Sequence, residues 1–216
     1  MESNIKVSCV CLTRNRRSML ANAIESWEKQ SFPREQMELL VVNDLDADDI
    51  KDLVTGKSHV RLLVLPKLVI GAKRNRANGA ARGEIIIHVD DDDYHGIDRV
   101  SHQVEFLIKS NLSVVGYNEF KAMKIGSERA EWIYKLYPSP HSTPYSCGGG
   151  LCYFREFWEA HKFSDGVHIG EDAGFVNKAQ RAKQLTVCAA NDDYIVGIHP
   201  GNTIAKPLNS APWRRI

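Results

Sequence analysis

Apolar residues along this chain fall into short strand-like blocks separated by stretches with helical spacing. Residues 5–12 read as a first strand, with Val7, Cys9 and Cys11 on one face. Leu20, Ala23, Ile24 and Trp27 recur at helical spacing, and Pro33 lies just beyond the expected helix end. Residues 39–42 form a short, fully apolar strand closed by Asn43-Asp44, and a weak helix over about 47–54 leads to a third strand at 60–65. The small-residue stretch 71–82 predicts a helix, with Gly83 as its C-terminal stop. Residues 84–89 are the fourth strand. Three successive β-α units of this kind predict a parallel sheet with helices on both faces.

Beyond residue 93 the pattern loosens. Val100, Val104, Leu107 and Ile108 mark one more helix, and residues 112–117 and 130–137 read as strands of mixed direction. A proline-rich loop at 138–144 and a glycine turn at 147–150 precede a strand at 151–154. A helix over about 171–183 buries Phe175, Val176, Ala179 and Ala182, and strands at 185–189 and 194–198 close the sheet. With no repeat and no long linker, the 216 residues predict a single domain with its core at about 5–200 and a polar tail at 201–216.

Composition narrows the function classes. The formal net charge is +1, from 28 basic and 27 acidic residues, which gives no global reason to expect nucleic acid or an acidic membrane as partner. Five cysteines without a CxxC pair argue against a disulfide scaffold. Cys9 and Cys11 read as buried core thiols, while Cys147 and Cys152 flank the glycine run. A polar start running into a strand and the lack of a ~20-residue apolar stretch lead to the expectation of a soluble cytoplasmic protein without a transmembrane segment.

Chemistry concentrates in the run Asp90-Asp91-Asp92-Asp93, directly after the apolar strand Ile85-Ile86-Ile87-His88-Val89. Four adjacent carboxylates repel one another, and ligands of open α/β sheets bind beyond the carboxyl ends of the strands. A cation offsetting the repulsion turns this run into a metal-nucleotide site. The alternative is a solvated acidic turn, which the strongly apolar preceding strand disfavours.

Five segments in order resemble glycosyltransferase family 2, with the GT-A fold: Val10-Cys11-Leu12-Thr13-Arg14-Asn15, Val41-Val42-Asn43-Asp44, Gly71-Ala72-Lys73-Arg74-Asn75, Val89-Asp90-Asp91-Asp92-Asp93 and Gly170-Glu171-Asp172. The resemblance covers roughly residues 5–200. It implies an α/β, Rossmann-like nucleotide-diphospho-sugar transferase domain with a mostly parallel mixed sheet. It also implies a metal-dependent inverting transferase, using Mn²⁺ or Mg²⁺, that moves a sugar from a nucleotide-diphosphate donor, UDP-sugar favoured, to an acceptor hydroxyl.

Carried over residue by residue, the resemblance sets Asp90 at the ribose and Asp92 on the metal. Asp91 joins the donor set, although a run of four acids lets the match slide by one residue. His199, after the last strand, is where many such enzymes place a further metal ligand, and an imidazole among oxygens favours Mn²⁺. Thr13, Arg14 and Asn15 fall near the base and diphosphate. Asp44 is an acceptor for a uracil-type imino hydrogen, or else a turn residue capping the next helix. Lys73, Arg74 and Arg76 open a helix whose dipole they oppose, so a diphosphate is the expected compensation; a solvated face is the alternative. Asp172 is implied as catalytic base with Glu171 supporting it, against simple helix capping. Gly149, in the glycine turn, is expected to border the donor sugar or the acceptor.

Trp132, Tyr134, Tyr137, Tyr145 and Trp158 offer stacking surfaces or, more simply, core packing, and His141, His161 and His168 have no partner in sequence. A sugar nucleotidyltransferase would want a glycine loop after the first strand, and Thr13-Arg14-Asn15-Arg16-Arg17 has none. A non-catalytic nucleotide-sugar-binding module would have no use for Asp172. The acceptor stays open among a glycan, a lipid-linked sugar, a protein and a modified nucleic-acid base. Trp213-Arg214-Arg215 reads as a solvated tail, with phosphate contact as the alternative.

Overall fold

The computed structural model describes residues 6–135, 148–167, 169–202, 208 and 213–215. The expected loop at 138–144, together with Tyr137, His141, Tyr145, Cys147 and His168, lies outside them.

Strand β1 (Val7–Leu12) is central because it is apolar on both faces; it pairs in parallel with β2 (Met37–Asp44) and β4 (Ile85–His88). β3 (Val60–Leu65) adds in parallel to β2. The expected parallel sheet is therefore present over the first ninety residues. Its continuation is mixed: β8 (Cys152–Phe154) runs antiparallel to β4 and to β6 (Val114–Lys124). β6 also pairs with β7 (Trp132–Lys135), β9 (Leu185–Ala189) and β10 (Tyr194–Ile198), while the two-residue β5 (Tyr94–His95) pairs with β10.

Helices cover both faces as expected. α1 (Arg17–Glu28) and α4 (Arg99–Ser110) pack Leu20, Ile24, Trp27, Val104 and Leu107 against Cys9, Cys11, Leu39 and Ile87. On the opposite face α3 (Ile70–Ala80), α5 (Arg155–Ala160) and α6 (Glu171–Arg181) pack Ala77, Trp158, Phe175 and Val176 against Val10, Leu40 and Ile86. Phe175 is fully buried and stacks on Phe163 with centroids 4.4 Å apart. Truncating such a ring costs about 3–5 kcal/mol.

Several expectations are corrected. The strand expected at 112–117 runs on to Lys124, because Phe120 and Ala122 continue the buried alternation past a bulge after Tyr117. The helix expected at 47–54 is one turn, α2 (Lys51–Val54). Gly83 does not cap α3; a Cβ there would lie 2.5 Å from Ser8 N, so the residue is needed for close approach to β1. Trp213–Arg215 is not a free tail but a strand, β11, antiparallel to β7, with Trp213 buried against Phe120 and Tyr134. Trp132, Tyr134 and Trp158 are core residues, as the simpler reading held, and His161 packs on the Phe157 ring. Cys9, Cys11 and Cys152 are buried free thiols.

Candidate active site

The carboxyl ends of β1, β2 and β4 and the first turn of α3 surround a cleft of about 380 Å³. Most of the residues singled out in the sequence line it, among them Thr13, Arg14, Asp44, Lys73, Arg74, Asp90, Asp91 and Asp92. At one end Asp44 is buried, with Lys73 Nζ 2.5 Å from Oδ1 and Arg14 Nη1 2.9 Å from Oδ2. It does not cap α2, whose N-cap is Ile50, although its carbonyl accepts the Ala47 amide (3.1 Å) in the turn that follows β2.

Asn15 is the exception in the first motif. It is solvent-exposed at φ 53°, accepts the Asp48 amide (3.1 Å) and does not line the cleft. It shapes the turn after β1, a use to which asparagine suits itself by tolerating left-handed backbone. Arg76 is exposed, unlike its neighbours Lys73 and Arg74. The compensation expected for those two cations comes partly from protein: Asp44 holds Lys73, and Glu171 lies 3.2 Å from Arg74 Nε.

At the other end sits the acid turn. One carboxylate oxygen each from Asp90, Asp92 and Asp93 lies within 4.8 Å of the others. Asp93 accepts from Tyr194 Oη (2.5 Å) and the Gly197 amide (2.9 Å), yet burial and its neighbours Asp90 and Asp92 push its carboxyl well above the usual range. Asp91 faces away from this triad. It accepts from Thr13 Oγ1 (2.7 Å) and Arg16 Nη1 (3.0 Å), and burial pushes it up to about 6 despite both partners. Asp93, left unassigned by the sequence, thus joins Asp90 and Asp92 in the converging set, and Asp91 does not. His199 Nε2 is 2.9 Å from Asp92 Oδ2, a contact that makes it the rim of the same cluster.

Three converging carboxylates, one pushed toward protonation by burial and its acidic neighbours, are hard oxygen donors whose charge Arg16 beside Asp92 and Arg74 beside Asp90 offset only in part. That donor set fits a divalent cation such as Mg²⁺ or Mn²⁺, and His199 beside Asp92 suits the second.

α6 carries the second acid pair. Its N-cap is Gly170, in the left-handed region at φ 82°, and Asp172 Oδ1 accepts the first-turn amide of Ala173 (2.7 Å), so the capping alternative keeps a contact of its own beside the catalytic one. Glu171 is buried against Arg74, and burial raises its carboxyl above the ordinary value. Asp172 Oδ2 lies across Gly148 from Arg74: a Cβ on Gly148 would sit 3.1 Å from both Asp172 Oδ2 and Arg74 Nη2. Gly149 leaves a similar gap, since a Cβ would lie 2.7 Å from Asp90 Oδ2 and 2.9 Å from Asp93 Oδ2. The glycine turn therefore lies directly against the acids, with no room for a side chain between.

Two buried residues of the site were not singled out in the sequence. His88, at the end of β4, sits between Tyr153 Oη (2.8 Å at Nε2) and Arg74 Nη1 (3.0 Å at Nδ1), and burial beside Arg74 keeps it neutral. Arg99, at the start of α4, is 1% exposed. Its spacing with Val100, Gln103, Val104 and Leu107 places it on the buried stripe, the one signal that marked it.

A curled α/β sheet with acids at the ends of β4 and a ligand cleft beyond β1 and β2 defines the GT-A class of nucleotide-sugar transferases. The fold comparison agrees: residues 1–349 of Staphylococcus aureus TarS in complex with UDP-GlcNAc match with a TM-score of 0.72 at 20% identity, over 95% of this chain and 63% of that one. Mannosyltransferase PcManGT from Pyrobaculum calidifontis, in complex with GDP-Man and Mn²⁺, matches with a TM-score of 0.67 at 17% identity, over 89% of this chain and 56% of that one. The family model for glycosyl transferase family 2 matches residues 8–166, and the chain belongs to that family. A poly(ribitol-phosphate) beta-glucosyltransferase of Bacillus spizizenii is 25% identical over 88% of this chain and 32% of its own length. The poly(ribitol-phosphate) beta-N-acetylglucosaminyltransferase TarS of S. aureus is 27% identical over 51% of this chain and 20% of its own. The chain thus spans a third or less of the length of these curated relatives.

Proposed function

We propose that the chain transfers a sugar from UDP-sugar to an acceptor hydroxyl with inversion at the anomeric carbon. The observation that carries this is one cleft with Asp44 at one end and Asp90 and Asp92 at the other, Asp93 converging on those two acids and Asp172 lying across Gly148 from Arg74. Asp44 accepts the imino hydrogen of uracil while Lys73 and Arg14 hold its carboxylate in place. Asp92, with Asp90, Asp93 and His199, would hold Mn²⁺ or Mg²⁺. When bound, that cation neutralises the charge building on the departing diphosphate. Arg74 supports the same charge from the α3 side.

Asp172 accepts the proton as the acceptor oxygen bonds to the anomeric carbon and the bond to the diphosphate oxygen breaks. A carboxylate in the first turn of a helix is stabilised in its charged form, as a base requires. The relatives are named for beta transfer, and a beta product is what a single displacement gives from a donor whose sugar is α-linked, which supports the single-displacement reading. Those relatives also favour an acceptor hydroxyl on a glycan or polyol-phosphate chain over a lipid-linked sugar, a protein or a nucleobase. No helix among the described residues is long and apolar enough to cross a membrane, and the reading places the activity in the cytoplasm, where nucleotide sugars are made.

The test is thermal unfolding with UDP in the presence and absence of Mn²⁺, with donor hydrolysis measured alongside. A ligand selective for the native state raises apparent stability. Asp92→Asn is expected to abolish the Mn²⁺-dependent part of the shift; an unchanged shift overturns the metal assignment. Absence of donor hydrolysis in the wild-type chain would return the non-catalytic binding module.

A further inference from the structure

Arg99 donates no hydrogen bond to the clustered acids, yet it touches three groups that meet them: His95, Gly149 and Tyr194. Its Nη2 donates to two main-chain carbonyls, His88 O at the end of β4 (2.8 Å) and Gly149 O in the glycine turn (2.5 Å). Nη1 donates to His95 Nδ1, and Nε to Gln103 Oε1 (3.3 Å). The guanidinium lies 4.6 Å from the centroid of the Tyr194 ring. Three of these neighbours lead onward to the acid turn. His95 Nε2 donates to the carbonyl of Asp90 (3.0 Å), Tyr194 Oη donates to Asp93, and Gly149 lies against both Asp90 and Asp93. Gln103 completes the ring by donating to Gly150 O (2.8 Å).

We propose that Arg99 is the positioning residue of the cation-binding turn, fixing Asp90 and Asp93 in convergence through three intermediaries, His95, Gly149 and Tyr194. The inference rests on the reading of the acid triad as a cation site. Its physical basis is the rigid planar fork, whose donors reach several acceptors in fixed directions, which a lysine cannot reproduce. The fork also sets a tautomer. Because Arg99 donates to His95 Nδ1, that nitrogen carries the lone pair, and Nε2 carries the hydrogen that the Asp90 carbonyl accepts. Reversing the tautomer would leave two acceptors facing each other beside the first acid of the triad.

All of these hydrogen bonds run to neutral groups, and Arg99 is almost completely buried. A buried guanidinium without a directly bonded carboxylate is costly in an apolar interior. The cluster of acids beyond Tyr194 and Gly149 is the negative charge nearest in the bonding network. The arrangement therefore combines a geometric anchor with a positive post beneath the anionic turn.

The experiment is a Mn²⁺ titration of the full chain followed by electron paramagnetic resonance, beside calorimetric titration of UDP in EDTA. Arg99→Met is expected to weaken Mn²⁺ binding at least tenfold while UDP binding in EDTA changes less than threefold, since Asp44, Lys73 and Arg14 stand on other elements. Leu107→Ala, in the core under the same helix, should lower the melting temperature and leave Mn²⁺ affinity within twofold. Arg99→Lys should fall between wild type and Arg99→Met, and it carries the test if Arg99→Met does not fold. Wild-type Mn²⁺ affinity in the Arg99 variants, or an equal loss in Leu107→Ala, overturns this role alone. A wild-type chain that binds neither Mn²⁺ nor UDP overturns this role together with the reading of the cleft.

Discussion

Arg16 Nη1 lies 3.0 Å from Asp92 Oδ2, and the same nitrogen is 3.0 Å from Asp91 Oδ1. A side-chain cation thus neutralises the edge of the acid run. Arg16→Gln should therefore lower stability in EDTA by about 1 kcal/mol, the scale of a partly exposed ion pair. The rise in melting temperature produced by Mn²⁺ should be larger in the variant than in wild type, because Asp92 is then free of a competitor. An equal or smaller rise would show that Arg16 does not compete for that carboxylate.

Two glycines predict opposite signs. A Cβ on Gly197 would stand 1.8 Å from the Asp92 carbonyl oxygen, which is backbone and cannot rotate away. Gly197→Ala should cost about 1–3 kcal/mol or more and weaken Mn²⁺ binding with it. Gly174, inside α6 with open space around it, should gain about 0.5–1 kcal/mol on substitution by alanine. Urea unfolding of both variants reads the difference.

The adjacent acids of α6 should separate by measurement. Asp172→Asn is expected to reduce transfer about 10²–10⁴-fold, the range for a lost general base, with UDP affinity within about twofold. Glu171→Gln weakens the carboxylate contact to buried Arg74 and should cost about 1.5–3 kcal/mol of stability, the scale of one hydrogen bond to a charged group, since Asp90 still lies 3.9 Å from Arg74 Nη2. Full transfer activity in Asp172→Asn would remove it as base.

His95 gives a pH signature. Burial, reinforced by Arg99, lowers it to about 3. A depressed folded-state value means that stability present above the unfolded value is lost as the pH falls toward the folded one. Below about pH 6.5 the unfolded chain takes up a proton that the native chain refuses. Asp91, Asp93 and Glu171 are raised and work in the opposite direction, so the wild-type profile is a partial cancellation. The difference isolates the histidine: the stability of His95→Asn relative to wild type should improve by roughly 1.4 kcal/mol per pH unit between about pH 6 and 4. A pH-independent difference would place His95 in a solvated setting.

The first half of the fold was legible because its strands are buried on both faces and its helices have clean apolar stripes. Val7, Cys9 and Cys11 against Leu20, Ile24 and Trp27 could be read from spacing alone. The later elements were harder for identifiable reasons. The second half of β6 alternates half-buried Glu119, Lys121 and Met123 with buried Phe120 and Ala122, so its polar positions read as loop. β11 pairs with β7 from some eighty positions away, Arg215 opposite Trp132, a contact that no local pattern announces. In the site, the motif order pointed to Asp44, Arg74 and Asp92, which line the cleft, and to Asp172 across Gly148 from Arg74. It did not tell Asp91 from Asp93, because alternate side chains of a tight turn depend on Thr13, Arg16 and Tyr194 for their direction. Asn15 was misread for the converse reason: its side chain serves its own turn.

β6 acts as a ruler between the two sides of the cluster. Its start, Val114–Val115, holds β8 and the glycine turn before it, while its end, Lys121 to Lys124, holds the strand that leads to His199. One residue inserted between those points would carry His199 roughly 3.4 Å along the strand direction, farther than its 2.9 Å reach to Asp92. Among relatives of this chain, the count of residues from Val115 to Lys121 should therefore vary less than the length of any surface loop, and the bulge after Tyr117 is part of that measure.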